Sequence, residues 1–389
     1  MLAMATVLTA EALLTPEKLV REPMLILEDG VIDSIRTRDS DYLPAAAEHL
    51  DYPGCTLIPA LFDIHMHGAK GHDVMEASST AFHAIGSFLV THGVGAFLPT
   101  TMSGPLDTML HSIEGIAKLI DEKKPHGARS MGIHLEGPFL SHPKRGAHPS
   151  NWLMPPSVKV FDKMWQASAG HVRVLTLAPE LQGAAELTAH ATALGVRVSI
   201  GHSDSGSTAA REVVAAGARS ATHTFNAMRP LDHRHPGVLG VVLTNDNLFA
   251  EIICDGIHVD SAVVDLFWKA KGPDRAILVT DAMSATGMPD GVYKLGELKV
   301  VVSAGKCMYE GVLAGSVLTL DRAVRNFREF TGAPWPQAVG LASRNPARMT
   351  GLDNRIGTLE EGRWADIVVL SPDGQIVATL LSGRVVYTA

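Results

Sequence analysis

The feature that most constrains this chain is a recurrence. Short apolar runs rich in β-branched residues return along its middle, and each ends in polar groups. They are TLIPALFDIHMHG (56–68), VGAFLPTTMS (94–103), ARSMGIHLEGPF (128–139), HVRVLTLAPE (171–180), VRVSIGHSD (196–204), RSATHTFNAM (219–228), FAEIICDGIHVD (249–260) and RAILVTDAMS (275–284). Helical spacing fills most of the intervals, as in AFHAIGSFLVTHG, LDTMLHSIEGIAKLIDEKK, AAELTAHATALG and AAREVVAAGA. Strands alternating with helices predict a parallel sheet. Eight such units over roughly 230 residues match an α/β fold of the (β/α)8 type, a TIM barrel of about 250 residues. That architecture gathers functional groups at the C-terminal ends of its strands, where the polar residues of these runs lie.

The flanks have a different texture. Residues 1–57 contain short strands, among them LILEDGVIDSIRT, and residues 353–389 read as a β meander. Asp29-Gly30 and Asp373-Gly374 are hairpin punctuation. Both ends together predict a small β-sandwich-like domain, 1–57 with 353–389, beside a barrel over 58–352.

Composition removes several function classes. Of 389 residues, 46% are hydrophobic and 19% charged, so a sizeable core can be buried. A net charge of −8 argues against a nucleic-acid partner, which calls for a basic patch. The three cysteines, Cys55, Cys254 and Cys307, lie far apart, which suits free thiols in a reducing compartment. The N-terminal stretch lacks a basic region before its apolar residues, so no signal peptide is expected. No apolar run of about eighteen residues occurs, so no membrane span is expected either. The expectation is a cytoplasmic protein without membrane contact.

Within the first run, His65 and His67 are two apart and share one strand face. One such pair is weak. The other strand ends change the argument, because they offer His134 and Glu136, His202, His223 and Asp281. If the strands close into a barrel, these groups meet at one mouth. Imidazoles and carboxylates are the donor set of zinc or another divalent first-row ion. Such an ion lowers the pKa of bound water to about 7. A nearby carboxylate, with Asp281 the candidate, can then take and return the proton. Hydrolysis of an amide or related C–N bond follows.

HMHG on the first strand, histidines on the fifth and sixth and an aspartate on the eighth resemble the amidohydrolase superfamily. GIHLEGPFLSHPKRGAH, GHS, THTFNAM, DGIHVD and TDAMSATG look like its N-acetylglucosamine-6-phosphate deacetylase branch. The likeness extends through LAGSVLTLDRAV, ASRNPARMTGL and GTLEEGRWADIVVL, the last shared by many amidohydrolases. The resemblance implies that metal-activated water removes the acetyl group from N-acetyl-D-glucosamine 6-phosphate, giving D-glucosamine 6-phosphate and acetate. It implies Glu136, His202 and His223 as ligands of the principal metal. His65 and His67, with Glu136 bridging and Asp281 nearby, make a second site. One or two divalent ions are implied, zinc first, with iron, cobalt or manganese as alternatives. Asp281 is the implied general base and acid. His148 binds the acetamide carbonyl or a sugar hydroxyl. Asn226 and Ala227 contact substrate, and Arg234 binds the phosphate with help from His258.

LTLAPE on the fourth strand has no lysine, so the carboxylated lysine of other superfamily branches has no counterpart there. Arg229, next to the proposed phosphate arginine, is a second candidate for that role, while Lys144 and Arg145 read as solvated loop charges. His72, His92, His126 and His171 read as surface or structural, and His134 as a group behind the ligands. The family tends to dimerise, so a homodimer is expected. The alternatives are the galactosamine epimer, another amidohydrolase and, more remotely, a non-catalytic scaffold.

Overall fold

The computed structural model describes residues 5–15, 18–38, 47–122 and 127–389. Eight parallel strands build a TIM-like barrel. They are β1 (Leu61–Met66), β2 (Val94–Thr101), β3 (Ile133–Glu136), β4 (Val172–Leu177), β5 (Arg197–Ile200), β6 (Ser220–Ala221), β7 (Ala250–Ile253) and β8 (Ala276–Val279). One ladder runs from β1 to β6, and β7 pairs with β8. Backbone bonds at the strand ends close the ring. Thr224 N–H donates to the Glu251 carbonyl at 2.8 Å, and His67 N–H donates to the Ala282 carbonyl at 2.7 Å. The strands are almost wholly buried, as expected of a parallel sheet covered on both faces. Helices such as Ser79–Thr91, Leu106–Asp121 and Ser261–Arg275 cover the outside.

Both flanks enter a second, eight-stranded sheet that joins Ala5–Leu14, Leu19–Arg21, Pro23–Glu28, Val31–Thr37 and Ala47–Pro59 to Ile367–Leu370, Ile376–Leu381 and Arg384–Thr388. Its central pairing is Ile367–Leu370 antiparallel to the end of Ala47–Pro59. Its strands form one continuous hydrogen-bonded order. Alternation gives the sheet two apolar faces. Leu8, Ala10, Leu25, Leu27, Ile367 and Val369 share an apolar cluster on one face, while Ile58, Val368 and Leu381 join the barrel core from the other. Asp29-Gly30 turns the hairpin between Pro23–Glu28 and Val31–Thr37, both turn residues having positive φ.

One element was not foreseen. A four-stranded antiparallel meander, Gly291–Leu295, Leu298–Ser303, Lys306–Tyr309 and Val312–Leu313, follows β8 and lies over the barrel mouth. All three cysteines are free, and Cys254 and Cys307 are buried. Among the described residues, no helix is long and apolar enough to cross a membrane.

Candidate active site

The C-terminal mouth of the barrel opens into a cavity of about 570 Å³. Its floor is a cluster of imidazoles and carboxylates centred on Glu136, at the end of β3. Glu136 Oε1 lies 3.1 Å from His202 Nε2, 3.1 Å from His223 Nε2 and 3.4 Å from His65 Nε2. Its Oε2 lies 3.2 Å from His67 Nε2 and 3.4 Å from His148 Nε2. Asp281 Oδ1 completes the ring, 3.2 Å from His67 Nε2 and 3.6 Å from His65 Nε2. His202, His223 and Asp281 sit just past their strands with positive φ, conformations that cost strain in non-glycine residues. β6 itself is only Ser220–Ala221, so His223 belongs to the loop after it.

Hydrogen-bond partners divide the histidines by tautomer. His67 Nδ1–H donates to the Thr100 carbonyl at 2.9 Å. His202 Nδ1–H donates to the Lys144 carbonyl at 2.9 Å. His65 Nδ1–H points to a Glu251 carboxylate oxygen at 3.1 Å. In the neutral rings each Nε2 is therefore a bare lone pair directed at carboxylate oxygens. His65 Nε2 is fully buried without a hydrogen-bond partner. Lone pair facing lone pair is repulsive, and either a proton or a metal ion between them resolves it. The donor set thus fits a divalent ion, and its Nδ1 partners match the supporting shell that metal-binding histidines carry. His148 has the opposite tautomer. The Ser103 main-chain N–H donates to its Nδ1 at 3.2 Å, which leaves Nε2–H as a donor toward the cavity.

The charges divide the same rings differently. Burial alone would depress His67, but hydrogen bonds to Asp281 and Glu136 raise its pKa to about 9. Burial lowers His202 to about 4, only partly offset by Glu136. Burial pushes Asp281 up, yet His67 and His65 bring it down to about 2. His258 sits in the cavity wall with Nδ1 2.7 Å from Asp255 Oδ2. That bond outweighs burial and raises its pKa.

Asn226 and Ala227 line the cavity, as expected. Four basic residues bear on the phosphate. Arg234 stands on the exposed segment Leu231–His235, outside the cavity lining. Arg229 is committed to Asp204, with Nη2 3.0 Å from Oδ2. Lys144 and Arg145, read as solvated loop charges, line the cavity instead. They reach it because the Lys144 carbonyl is tied to His202. His134 bonds the Thr176 hydroxyl at 2.8 Å and the Ile64 carbonyl at 3.1 Å, behind the ligands. His72, His92 and His171 pair with Glu76, Asp321 and Asp121, and His126 lies outside the described residues.

Glu251 was missed. It is fully buried on β7, and the signal was a lone charge inside the apolar run FAEIIC.

The amidohydrolase family model matches residues 56–386. N-acetylglucosamine-6-phosphate deacetylase of Bacillus subtilis is 34% identical over 97% of this chain and 96% of its own. N-acetylgalactosamine-6-phosphate deacetylase of Escherichia coli O157:H7 is 36% identical over 98% and 99%. The solved aspartate-to-alanine mutant of the Mycobacterium smegmatis deacetylase, in complex with N-acetyl-D-glucosamine-6-phosphate, superposes with a TM-score of 0.92. It is 32% identical, covering 99% of this chain and 100% of that one.

Proposed function

We propose that this chain, which belongs to the amidohydrolase family, is a metal-dependent deacetylase that converts N-acetyl-D-glucosamine 6-phosphate to D-glucosamine 6-phosphate and acetate. The observation that carries the chemistry is the geometry of the rings: Nε2 of His65, His67 and His202 converges on Glu136 while each Nδ1 is bonded elsewhere, and the Ser103 N–H donates to Nδ1 of His148.

Glu136, His202 and His223 would hold one divalent ion. His65 and His67 would hold a second, with Glu136 bridging and Asp281 adjoining. Zinc suits this nitrogen and oxygen set, and iron, cobalt and manganese share it. When bound, such an ion acidifies water and polarises the acetyl carbonyl. Asp281, held ionised, accepts the proton of the attacking water and passes it to the amine nitrogen as the C–N bond breaks. His148 Nε2–H donates to the acetyl oxygen as negative charge develops there. Asn226 and the main chain at Ala227 orient the sugar from the loop that also carries His223.

For the phosphate, this chain's own cavity offers Lys144, Arg145 and His258, whose affinity for a proton Asp255 raises. From its exposed segment, Arg234 would serve a phosphate delivered between two copies of the chain, as in a homodimer. The galacto epimer is a second reading, favoured by the Escherichia coli relative. Acetate release from the two phosphorylated epimers and from unphosphorylated N-acetylglucosamine tests all three points. Release confined to the phosphorylated gluco sugar supports the proposal. Equal release without phosphate removes the phosphate site, and preference for the galacto sugar moves the assignment to the second reading.

A further inference from the structure

We propose that Glu251 is the positioning residue that makes the His65/His67 half of the site able to hold an ion, an inference that rests on the metal-site reading above. Glu251 does not touch the cavity. It is wholly buried on β7, in a strand otherwise apolar. One oxygen, Oε2, does two things. It lies 3.1 Å from His65 Nδ1, and it accepts the His223 main-chain N–H at 3.2 Å. The other oxygen, Oε1, is buried with no hydrogen-bond partner.

A carboxylate in such a place is costly, and removing water from it is offset only by strong local partners. Packing does not require the charge, since an apolar side chain would fill β7 as its neighbours do. The charge has a specific effect on His65. Hydrogen-bonded to a carboxylate, His65 is fixed as the Nδ1–H tautomer and its Nε2 becomes a stronger donor to a cation. The same oxygen ties down the backbone of His223 at its strained φ of 26°. Glu251 therefore acts on the His65 ring through its charge, whereas its bond to the His223 main chain is one that an amide oxygen can keep.

The test is Glu251→Gln, which keeps the length and an acceptor but removes the charge. Zinc content after dialysis and zinc affinity by chelator competition are measured for the full-length protein, the Gln variant and His67→Ala. The expected result is a loss of affinity of about 10–100-fold for the ion whose binding also depends on His67, with the other ion retained. The d–d spectrum of the cobalt-loaded protein should lose the same component in both variants. Glu251→Gln that binds both ions as the parent does would overturn the proposal. So would a variant whose metal-free melting temperature falls while its metal stoichiometry and spectrum stay unchanged, because that is a structural role alone. A parent protein that binds no ion would overturn the metal-site reading itself, and this inference with it.

Discussion

The two halves of the metal cluster should answer pH differently. Metal and proton compete for the same Nε2 lone pairs. In the metal-free protein His67 has a pKa of about 9, so at pH 7 it is almost fully protonated. His65 is also raised well above its ordinary value: burial opposes this, and the charge of Glu136 prevails. An ion entering this half must displace at least one proton. The sign follows from the raised pKa: affinity is full above about pH 9 and falls as pH drops through that value. The slope is about tenfold per pH unit for one proton, or about 1.4 kcal/mol per unit. From pH 9 to pH 6 this amounts to about 4 kcal/mol. His202 is held near 4, so above about pH 5 it has no proton to give up. Binding in the half it shares with Glu136 and His223 should be much flatter over the same range. Calorimetric zinc titrations in buffers of different ionisation enthalpy count the released protons directly. Equal slopes for both ions, or no proton release near pH 7 from the His67-dependent ion, would refute the reasoning.

Asp281→Asn should lower kcat by about 10²–10⁴-fold with metal content unchanged, and near-parental turnover would remove Asp281 as the proton carrier. His148→Ala should cost about 10²–10³ in kcat with little change in KM, checked by steady-state acetate release; a pure KM effect would reassign it to ground-state binding. Lys144→Ala combined with Arg145→Ala should raise KM for the phosphorylated sugar by about 10–100-fold, the worth of one charge-assisted hydrogen bond. In the same assay, an unchanged KM in that variant, with a large rise in Arg234→Ala, would transfer the phosphate to Arg234.

Much of this site was legible because period-two spacing and strand ends are strong signals. His65, His67, Glu136, His202, His223 and Asp281 come from five separate strand ends, and one closed sheet is enough to bring them together. What escaped was of four kinds. The meander at 291–313 buries Leu298, Val300 and Val302 on one face while Val301 stays half-exposed on the other, so its pattern did not mark it off from the barrel. Glu251 carries no spacing motif, and its partner His65 is 186 positions away. Lys144 and Arg145 look like any loop charges until the contact between the Lys144 carbonyl and His202 turns their loop over the cavity. The tautomers, on which the division of roles rests, depend on carbonyls such as Thr100 and Lys144 whose placement only the fold determines.

The sheet that joins both flanks also sets a schedule for biosynthesis. Pro59 at the end of one strand pairs with Ile367. On the ribosome, that edge of Ala47–Pro59 waits for about 300 further residues, or roughly 15–60 s at 5–20 residues per second. Until then it presents unpaired backbone groups, the template that draws other chains into aggregates. The barrel also lacks its cover over Ile58 during that interval. A message that stalls late, or a nonsense change at Ile367, would therefore release a chain whose chemical groups are all present but whose first sheet has no mate. Such a product should be cleared by quality control or found in the insoluble fraction, although every proposed ligand precedes the break.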